Sequence, residues 1–165
     1  MDALHAPWRI DYILSPKPPL ADGDASIFTK IARSSDDVTN LVVMREKTCF
    51  AVLNAYPYVG GHLMAVPYRQ VADLTSLTEE ELTDLFKLTC RCQRVLTKVM
   101  KPHGFNVGVN TGRCAGAGIL EHVHVHIVPR WTGDTNFMPI IAGATVLPEA
   151  LIEVGNRIRA AAQEE

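Results

Sequence analysis

The segment His122-Val-His124-Val-His126-Ile-Val constrains the fold of this chain more than any other feature. Alternation of histidine with β-branched residues is typical of a β-strand, in which successive side chains point to opposite faces. A strand over residues 122–128 puts His122, His124 and His126 on one face and an apolar anchor on the other. At about 3.3 Å per residue the three rings span roughly 13 Å. A merely solvent-facing stripe would accept threonine, lysine or glutamate equally well, so three imidazoles in a row point to chemistry.

The remaining pattern predicts an α+β domain on an antiparallel sheet, because strands precede and follow one long helix. Further strands are expected over residues 41–44, 49–53, 62–67 and 105–110, and helices over 26–33, from Thr78 to just before Pro102, and from near Pro148 onward. Thr78 and Glu81 match a capping box at the start of the long helix. Prolines 67 and 129 are expected to end two of the strands, since proline lacks the N–H that a ladder needs.

Composition argues against several classes of function. The chain has 16 Lys and Arg against 18 Asp and Glu, a formal net charge of −2. This balance argues against binding polymeric nucleic acid, because affinity for the phosphate backbone depends on clustered cations. No apolar run approaches the roughly 20 residues of a membrane helix, and the first residues lack the apolar segment of a signal peptide. Four cysteines without a C-x-x-C pair fit a reducing compartment. We therefore expect a cytoplasmic protein with no membrane partner.

Two kinds of chemistry use clustered histidines. A His-x-His pair with a distant third ligand binds zinc, whereas a nucleophilic histidine needs neighbours that orient it and its substrate. The nucleophilic histidine is favoured over the zinc site, because the nearby carboxylate that a zinc site could use, Glu121, falls on the opposite strand face from the histidines. The loop from Gly112 to Gly118 also offers unhindered N–H groups for phosphate oxygens. That loop is not a P-loop, since no Gly-Lys-Ser or Gly-Lys-Thr follows it.

The triad segment resembles the motif of the histidine-triad (HIT) family, His-φ-His-φ-His-φ-φ with φ apolar, and Gly60-Gly61-His62-Leu-Met-Ala-Val-Pro67 resembles the second family block. Residues 129–137 and the segment Ala6-Pro7-Trp8-Arg9 are similar to the bacterial branch near diadenosine tetraphosphate hydrolases and phosphorylases. The resemblance implies a HIT-like fold, an antiparallel sheet with one long inserted helix and a C-terminal helix. The HIT domain would cover residues 26–142, between an N-terminal arm over 1–25 and a C-terminal helical extension over 143–165.

The resemblance implies a nucleotide hydrolase or transferase that cleaves dinucleoside polyphosphates at the α-phosphate. His124 would be the nucleophile that forms a nucleotidyl-histidine, and His122, His126 and His62 would orient it or stabilise charge. The other residues expected at the nucleotide are Asn54 at the ribose, Asn110 at the phosphates, Gly116 and Gly118 in the loop, and Trp131 stacked on an adenine. Three rivals stay open: a phosphorylase that uses inorganic phosphate, a zinc hydrolase built on His122, His124 and His62, and a nucleotide-binding sensor without turnover.

The chain departs from the family pattern in two places. Many relatives carry Cys-x-x-Cys at the first helix, which with histidines forms a structural zinc site, but here Ser26 and Thr29 stand at those positions. Hydroxyls are poor zinc ligands, so we expect no metal and no other cofactor. Gly118 and Ile119 stand where close relatives place Gln-Ser or Gly-Ser, so backbone N–H groups would have to assist the leaving group. The resemblance also implies a homodimer, and the isolated His5 and His103 are expected at the surface.

Overall fold

The computed structural model describes residues 26–134 and 149–165. The expected arm over 1–25, His5, the boundary between residues 142 and 143, and Pro148 lie outside the described residues, so the division into domains stays a prediction. The strands are β1 (Val42–Arg45), β2 (Cys49–Leu53), β3 (Leu63–Pro67), β4 (Gly104–Val109) and β5 (Val125–Arg130), and the α-helices are α1 (Ile27–Arg33), α2 (Glu79–Met100) and α3 (Leu151–Gln163).

The five strands form one antiparallel sheet in the order β1-β2-β3-β5-β4, and the long helix α2 is inserted between β3 and β4. This arrangement confirms the predicted α+β class. The larger core cluster joins α2 and α3 to one face of the sheet through residues such as Leu85, Leu96 and Ile158. A smaller cluster around Phe28 of α1 and Phe50 of β2 covers the other face. The histidine-bearing side of β5 is therefore the side that α1 covers.

Helix α2 begins at the predicted capping box. The Thr78 hydroxyl accepts a hydrogen bond from the Glu81 N–H at 3.2 Å, and the Glu81 carboxylate accepts one from the Thr78 N–H at 2.8 Å. The two bonds satisfy N–H groups that a helix start leaves without a partner. The helix ends at Lys101, which is left-handed with φ of 49°, just before Pro102.

Strand β5 begins three residues later than the sequence predicts, at Val125 instead of His122. Its pairing with β3 ends at Ala65 and Val125. Pro67, which faces residue 123 in that register, has no N–H to continue the ladder. The Val123 N–H binds the Val71 carbonyl at 2.7 Å instead. The first two histidines of the triad therefore lie in the segment that leads into the strand.

The prediction that Pro129 ends this strand is wrong, because β5 continues to Arg130 with Pro129 paired to Phe105. The Arg130 carbonyl accepts a hydrogen bond from the His103 N–H at 2.8 Å, next to β4. Alternate residues of a strand turn their peptide groups to opposite sides, so the nitrogen of Pro129 faces away from β4. Pairing with β3 has already ended at Ile127 on that side, so the missing N–H breaks no ladder hydrogen bond.

Candidate active site

Strand register aligns the site across the sheet. Met64 of β3 is paired with Val52 of β2 on one side and with His126 of β5 on the other, and Val52 is paired with Val42 of β1. Directly paired residues share a face of the sheet, so this row continues the face that carries the histidines. Neighbouring strands lie about 4.8 Å apart, which separates β1 from β5 by about 14 Å along the row.

A cavity lies between α1 and this face. Its apolar wall includes Ile27, Phe28 and Ile31 of α1, and its polar groups include Asn40, Asn54, Asn110, His124 and His126. Among the described residues that line it there is no Lys, Arg, Asp or Glu. The cavity is thus an apolar slot that has uncharged hydrogen-bonding groups and two imidazoles at one end.

The tautomer of His124 follows from a backbone contact. Its Nδ1 lies 3.0 Å from the carbonyl oxygen of His122. A carbonyl oxygen only accepts hydrogen bonds, so Nδ1 carries the proton and Nε2 of the neutral ring keeps its lone pair. Burial lowers the pKa of His124, whose side chain is 5% exposed. His124 is therefore a neutral imidazole with a nucleophilic Nε2.

His126 is in the complementary state, which is set by a chain of hydrogen bonds through His62. The Tyr58 N–H donates to Nδ1 of His62 at 3.2 Å, and Nδ2 of Asn54 lies 3.3 Å from the same nitrogen. Since Nδ1 of His62 accepts, its Nε2 carries the proton and donates to Nδ1 of His126 at 3.0 Å. The proton of a neutral His126 is then on Nε2. The ring centroids of His124 and His126 are 4.7 Å apart. The lone pair on Nε2 of His124 therefore lies close to the ring whose Nε2 carries an N–H, that of His126.

His122 does not line the cavity and instead supports it from behind. Its Nε2 donates to the Pro67 carbonyl at 2.8 Å, so Nδ1 accepts from the Ser26 hydroxyl at 2.6 Å. Burial lowers the pKa of His122 as well. The Gln70 side-chain oxygen accepts from the Ser26 N–H at 2.8 Å and from the Thr29 hydroxyl at 3.0 Å. These four side chains satisfy one another and hold the triad against the start of α1.

This cluster does not fit a structural zinc ion. Two hydroxyls, an amide and one imidazole are a poor ligand set for zinc, which prefers thiolate, imidazole and carboxylate. The rival zinc site is not assembled either, because both ring nitrogens of His122 and both of His62 already bind protein groups. Within residues 26–134 and 149–165, no three His, Cys, Asp or Glu side chains are grouped to hold a metal. Absence of zinc from the protein stays a prediction.

The loop after β4 lies at the cavity, but the N–H groups of Ala115, Gly116 and Ala117 already bind carbonyl oxygens of the same loop. Gly116 and Gly118 both line the cavity as predicted. However, the Gly116 N–H donates to the Arg113 carbonyl at 3.1 Å and the Ala117 N–H to the Gly112 carbonyl at 3.3 Å. These amides are thus engaged within the loop in this structure, and phosphate binding at Gly116 and Gly118 stays a prediction. Gly116 also supplies a left-handed turn, with φ of 84°.

Trp131 is not brought to the cavity within the described part of the chain. Trp131 follows β5, and its backbone N–H donates to the Asp134 carboxylate at 3.1 Å. Stacking of Trp131 on an adenine stays a prediction. His103 is exposed and contacts Thr132 outside the site, which confirms the expected surface position.

Sequence reasoning missed three contributors to the site: Tyr58, Gln70 and Asn40. The Tyr58 ring stacks on His62 with centroids 4.6 Å apart. Its place four residues after Asn54, in the loop before the second family block, was a usable signal. Gln70 and Asn40 lie in loops without any motif, and only the fold brings them to the triad and to the cavity.

The described helices include none whose length and apolar character would suit a crossing of a lipid bilayer.

Comparison with known proteins places the chain in a family. The HIT domain model matches residues 35–133. The chain is 46% identical over 155 residues to a Mycobacterium tuberculosis protein named AP-4-A phosphorylase, covering 92% of this chain and 79% of that protein. It is 40% identical over 97 residues to the Schizosaccharomyces pombe bis(5'-nucleosyl)-tetraphosphatase [asymmetrical], covering 59% and 53% of the two chains. A Zn-bound histidine triad family protein from Mycobacterium smegmatis has the same fold, with a TM-score of 0.66 at 21% identity, covering 85% of this chain and 94% of the other. This chain therefore belongs to the HIT family, with the triad His122, His124 and His126 at its candidate active site.

Proposed function

We propose that this protein cleaves dinucleoside polyphosphates such as diadenosine tetraphosphate by transferring a nucleotidyl group first to His124 and then to inorganic phosphate. The observation that carries the proposal is the hydrogen bond from Nδ1 of the buried His124 to the His122 carbonyl, which leaves Nε2 as a nucleophile at the cavity.

The first step forms one bond and breaks one. Nε2 of His124 attacks the α-phosphorus, the bond from that phosphorus to the bridging oxygen breaks, and the electron pair leaves with the distal phosphates as ATP. The product on the enzyme is an adenylyl-histidine. In the second step an oxygen of the acceptor attacks the same phosphorus and the nitrogen–phosphorus bond breaks, which returns His124 to its neutral form. Phosphate as the acceptor gives ADP, and water gives AMP.

The neighbouring His126 suits the charge that develops during attack. With the proton on Nε2, His126 donates to a phosphate oxygen while its Nδ1 is held by His62. A polyphosphate is a stable leaving group, so stabilising the α-phosphate oxygens matters more than protonating the leaving oxygen. Asn110 lines the cavity beside the loop and adds a second neutral group there.

The second acceptor distinguishes two candidate activities. Similarity to a protein named AP-4-A phosphorylase over 92% of the chain favours inorganic phosphate. Similarity to an asymmetrical bis(5'-nucleosyl)-tetraphosphatase over 59% of the chain supports hydrolysis as the second candidate. Both activities share the covalent step, so the site accounts for either.

One experiment tests both the covalent step and the acceptor. Purified enzyme is incubated with diadenosine tetraphosphate with and without phosphate, and the nucleotides are separated by chromatography. We expect ATP and ADP with phosphate, and a mass increase of one adenylyl group on the protein when phosphate is left out. ATP and AMP as the products in both conditions would instead establish hydrolysis.

The matched variants are His124→Ala and the exposed-histidine control His103→Ala. Loss of a covalent nucleophile costs orders of magnitude in rate, so His124→Ala should lose more than about 99% of the activity and all of the protein adduct. His103→Ala should keep both the activity and the protein adduct. An active His124→Ala enzyme would rule out the nucleophile, and nucleotide binding without turnover would support the sensor reading.

The proposal also includes a homodimer, an adenine-containing substrate and a cytoplasmic location. The first follows from the HIT resemblance, the second from the named substrates of the relatives, and the third from the expectation made on the sequence.

A further inference from the structure

Asn40 has a side chain whose orientation is fixed. Its Nδ2 donates to the Ser34 hydroxyl at 2.9 Å and to the Asp36 carbonyl at 2.7 Å. Because a carbonyl only accepts, these bonds identify the nitrogen and use both of its hydrogens. No hydrogen bond from another described residue reaches Oδ1. Asn40 also lines the cavity, and the amide nitrogen is directed at its own turn.

The position of Asn40 is at the far end of the cavity from the triad. It comes two residues before Val42 of β1, and Val42 lies about 14 Å from His126 of β5 along the paired row. That separation is comparable with an extended nucleoside monophosphate. Ile31 of α1 and Leu41 line the cavity and pack against the cluster that contains Val42 of β1, so they supply its apolar wall at the β1 end. A nucleotide with its α-phosphate at His124 would therefore extend its base toward the Asn40 end of the cavity.

We propose that Asn40 selects the nucleobase through its Oδ1 atom, which accepts a hydrogen bond from the amino group at C6 of adenine. The same acceptor repels the carbonyl oxygen that guanine and hypoxanthine carry at C6. The Ser34 and Asp36 bonds hold the amide so that it cannot rotate to present its N–H groups to that carbonyl. This inference rests on the proposed function, since it assumes a nucleotide in the cavity.

Calorimetric titration with four nucleoside monophosphates tests the proposal without requiring turnover. The bases are adenine, 2,6-diaminopurine, unsubstituted purine and hypoxanthine. We expect the first two to bind within about twofold of each other, because both carry the C6 amino group. Unsubstituted purine should bind about five- to tenfold more weakly, as for one lost hydrogen bond. Hypoxanthine should bind more weakly still, because it adds repulsion.

Two variants and one control locate the effect. Asn40→Leu should bring the affinities for all four nucleotides within about twofold of one another. Ser34→Ala removes one of the two hydrogen-bond acceptors of the Asn40 amide, so it should reduce the ratio of the affinity for the adenine nucleotide to that for the hypoxanthine nucleotide. Val38→Ala is the control, because Val38 lies in the same turn, is exposed and does not line the cavity. The Val38→Ala variant should bind the four nucleotides in the same order of affinity as the wild type.

An unchanged adenine-to-hypoxanthine ratio in both Asn40→Leu and Ser34→Ala would overturn the proposal, as would equal affinities in the wild type. Either result leaves cleavage of dinucleoside polyphosphates intact. If no monophosphate binds and no dinucleoside polyphosphate is cleaved, the proposed function fails together with this inference.

Discussion

A backbone carbonyl and not a charged side chain decides which nitrogen of His124 is nucleophilic. The carbonyl of His122 does not titrate in the physiological range, so the lone pair on Nε2 of His124 needs no acidic partner. The paired His62 and His126 reach the opposite state through Tyr58 and Asn54, which are also uncharged. Two histidines at the start of β5, His124 and His126, thus acquire different tautomers from neutral neighbours.

Burial of His122 and His124 makes stability depend on pH. Burial lowers the pKa of both rings. In the unfolded chain they bind protons as the pH falls through about 6.5, whereas the folded rings stay neutral to lower pH. The free energy of unfolding should therefore be highest above that pH and fall as the solution is acidified, by up to about 1.4 kcal/mol per pH unit for each ring.

Urea unfolding between pH 7.5 and 5 measures this slope. His122→Gln and His124→Gln should each make it shallower, and the exposed His103→Gln should leave it unchanged. Equal slopes in all four proteins would contradict the assignment of two neutral buried rings.

At the scale of elements, α1 contacts both the cavity and the triad. Its residues Ile27 and Phe28 line the cavity, and the ring of Phe28 lies 5.5 Å from that of His122 and 5.1 Å from that of His124. The helix is held at its start by Ser26 and at its end by Arg45, which donates to the Ala32 carbonyl at 3.2 Å. A change at either end is therefore expected to alter the positions of the His122 and His124 rings.

Ser26→Ala tests this connection. The substitution removes a helix cap and leaves Nδ1 of the buried His122 without its donor. We expect a loss of about 1–3 kcal/mol in unfolding free energy, together with a fall in kcat that exceeds any change in KM. Steady-state kinetics and urea unfolding measure the two effects.

Thr78→Ala is the matched control, because Thr78 caps α2 and makes no contact with the triad in its hydrogen bonds. It should lose stability to a similar degree and keep kcat. If Ser26→Ala also keeps kcat, then Ser26 stabilises the fold without positioning the triad.

Local signals in the sequence predict these elements well, and contacts between distant segments account for what they miss. The alternation at His122–Ile127 and the capping box at Thr78 act within a few residues, so the strand and the helix were foreseeable. The late start of β5 depends on Pro67, which lies far away in sequence and becomes a neighbour only through the sheet. Gln70 and Asn40 likewise reach the site through loops whose paths the sequence pattern does not encode.

For the whole molecule, β4 offers an edge on which a second copy can pair. It is the last strand in the sheet order, and Val107 at its centre is 43% exposed. Phe105 and Val109, two residues to either side, pack against the main core. An exposed valine between two core positions on an edge strand is the kind of surface that another chain covers.

Sedimentation velocity tests the proposed homodimer. We expect a dimer for the wild type and a shift toward monomer for Val107→Lys, because a charge on an edge strand opposes pairing. Val38→Lys, at an exposed position before β1, is the control and should remain dimeric. A monomeric wild type at all concentrations would refute the dimer.

The uncharged lining of the cavity has a consequence for how tightly polyphosphates are held. A substrate with several negative charges would meet dipoles and imidazoles there, and no fixed cation among the described lining residues. Added salt should therefore change the affinity for the polyphosphate only a little, because dissolved ions weaken interactions between pairs of charges. We therefore expect most of the affinity for a nucleotide substrate to come from the nucleoside, since a polyphosphate would form no ion pair with the described lining residues. We expect such a lining to favour rapid release of a charged product over its retention.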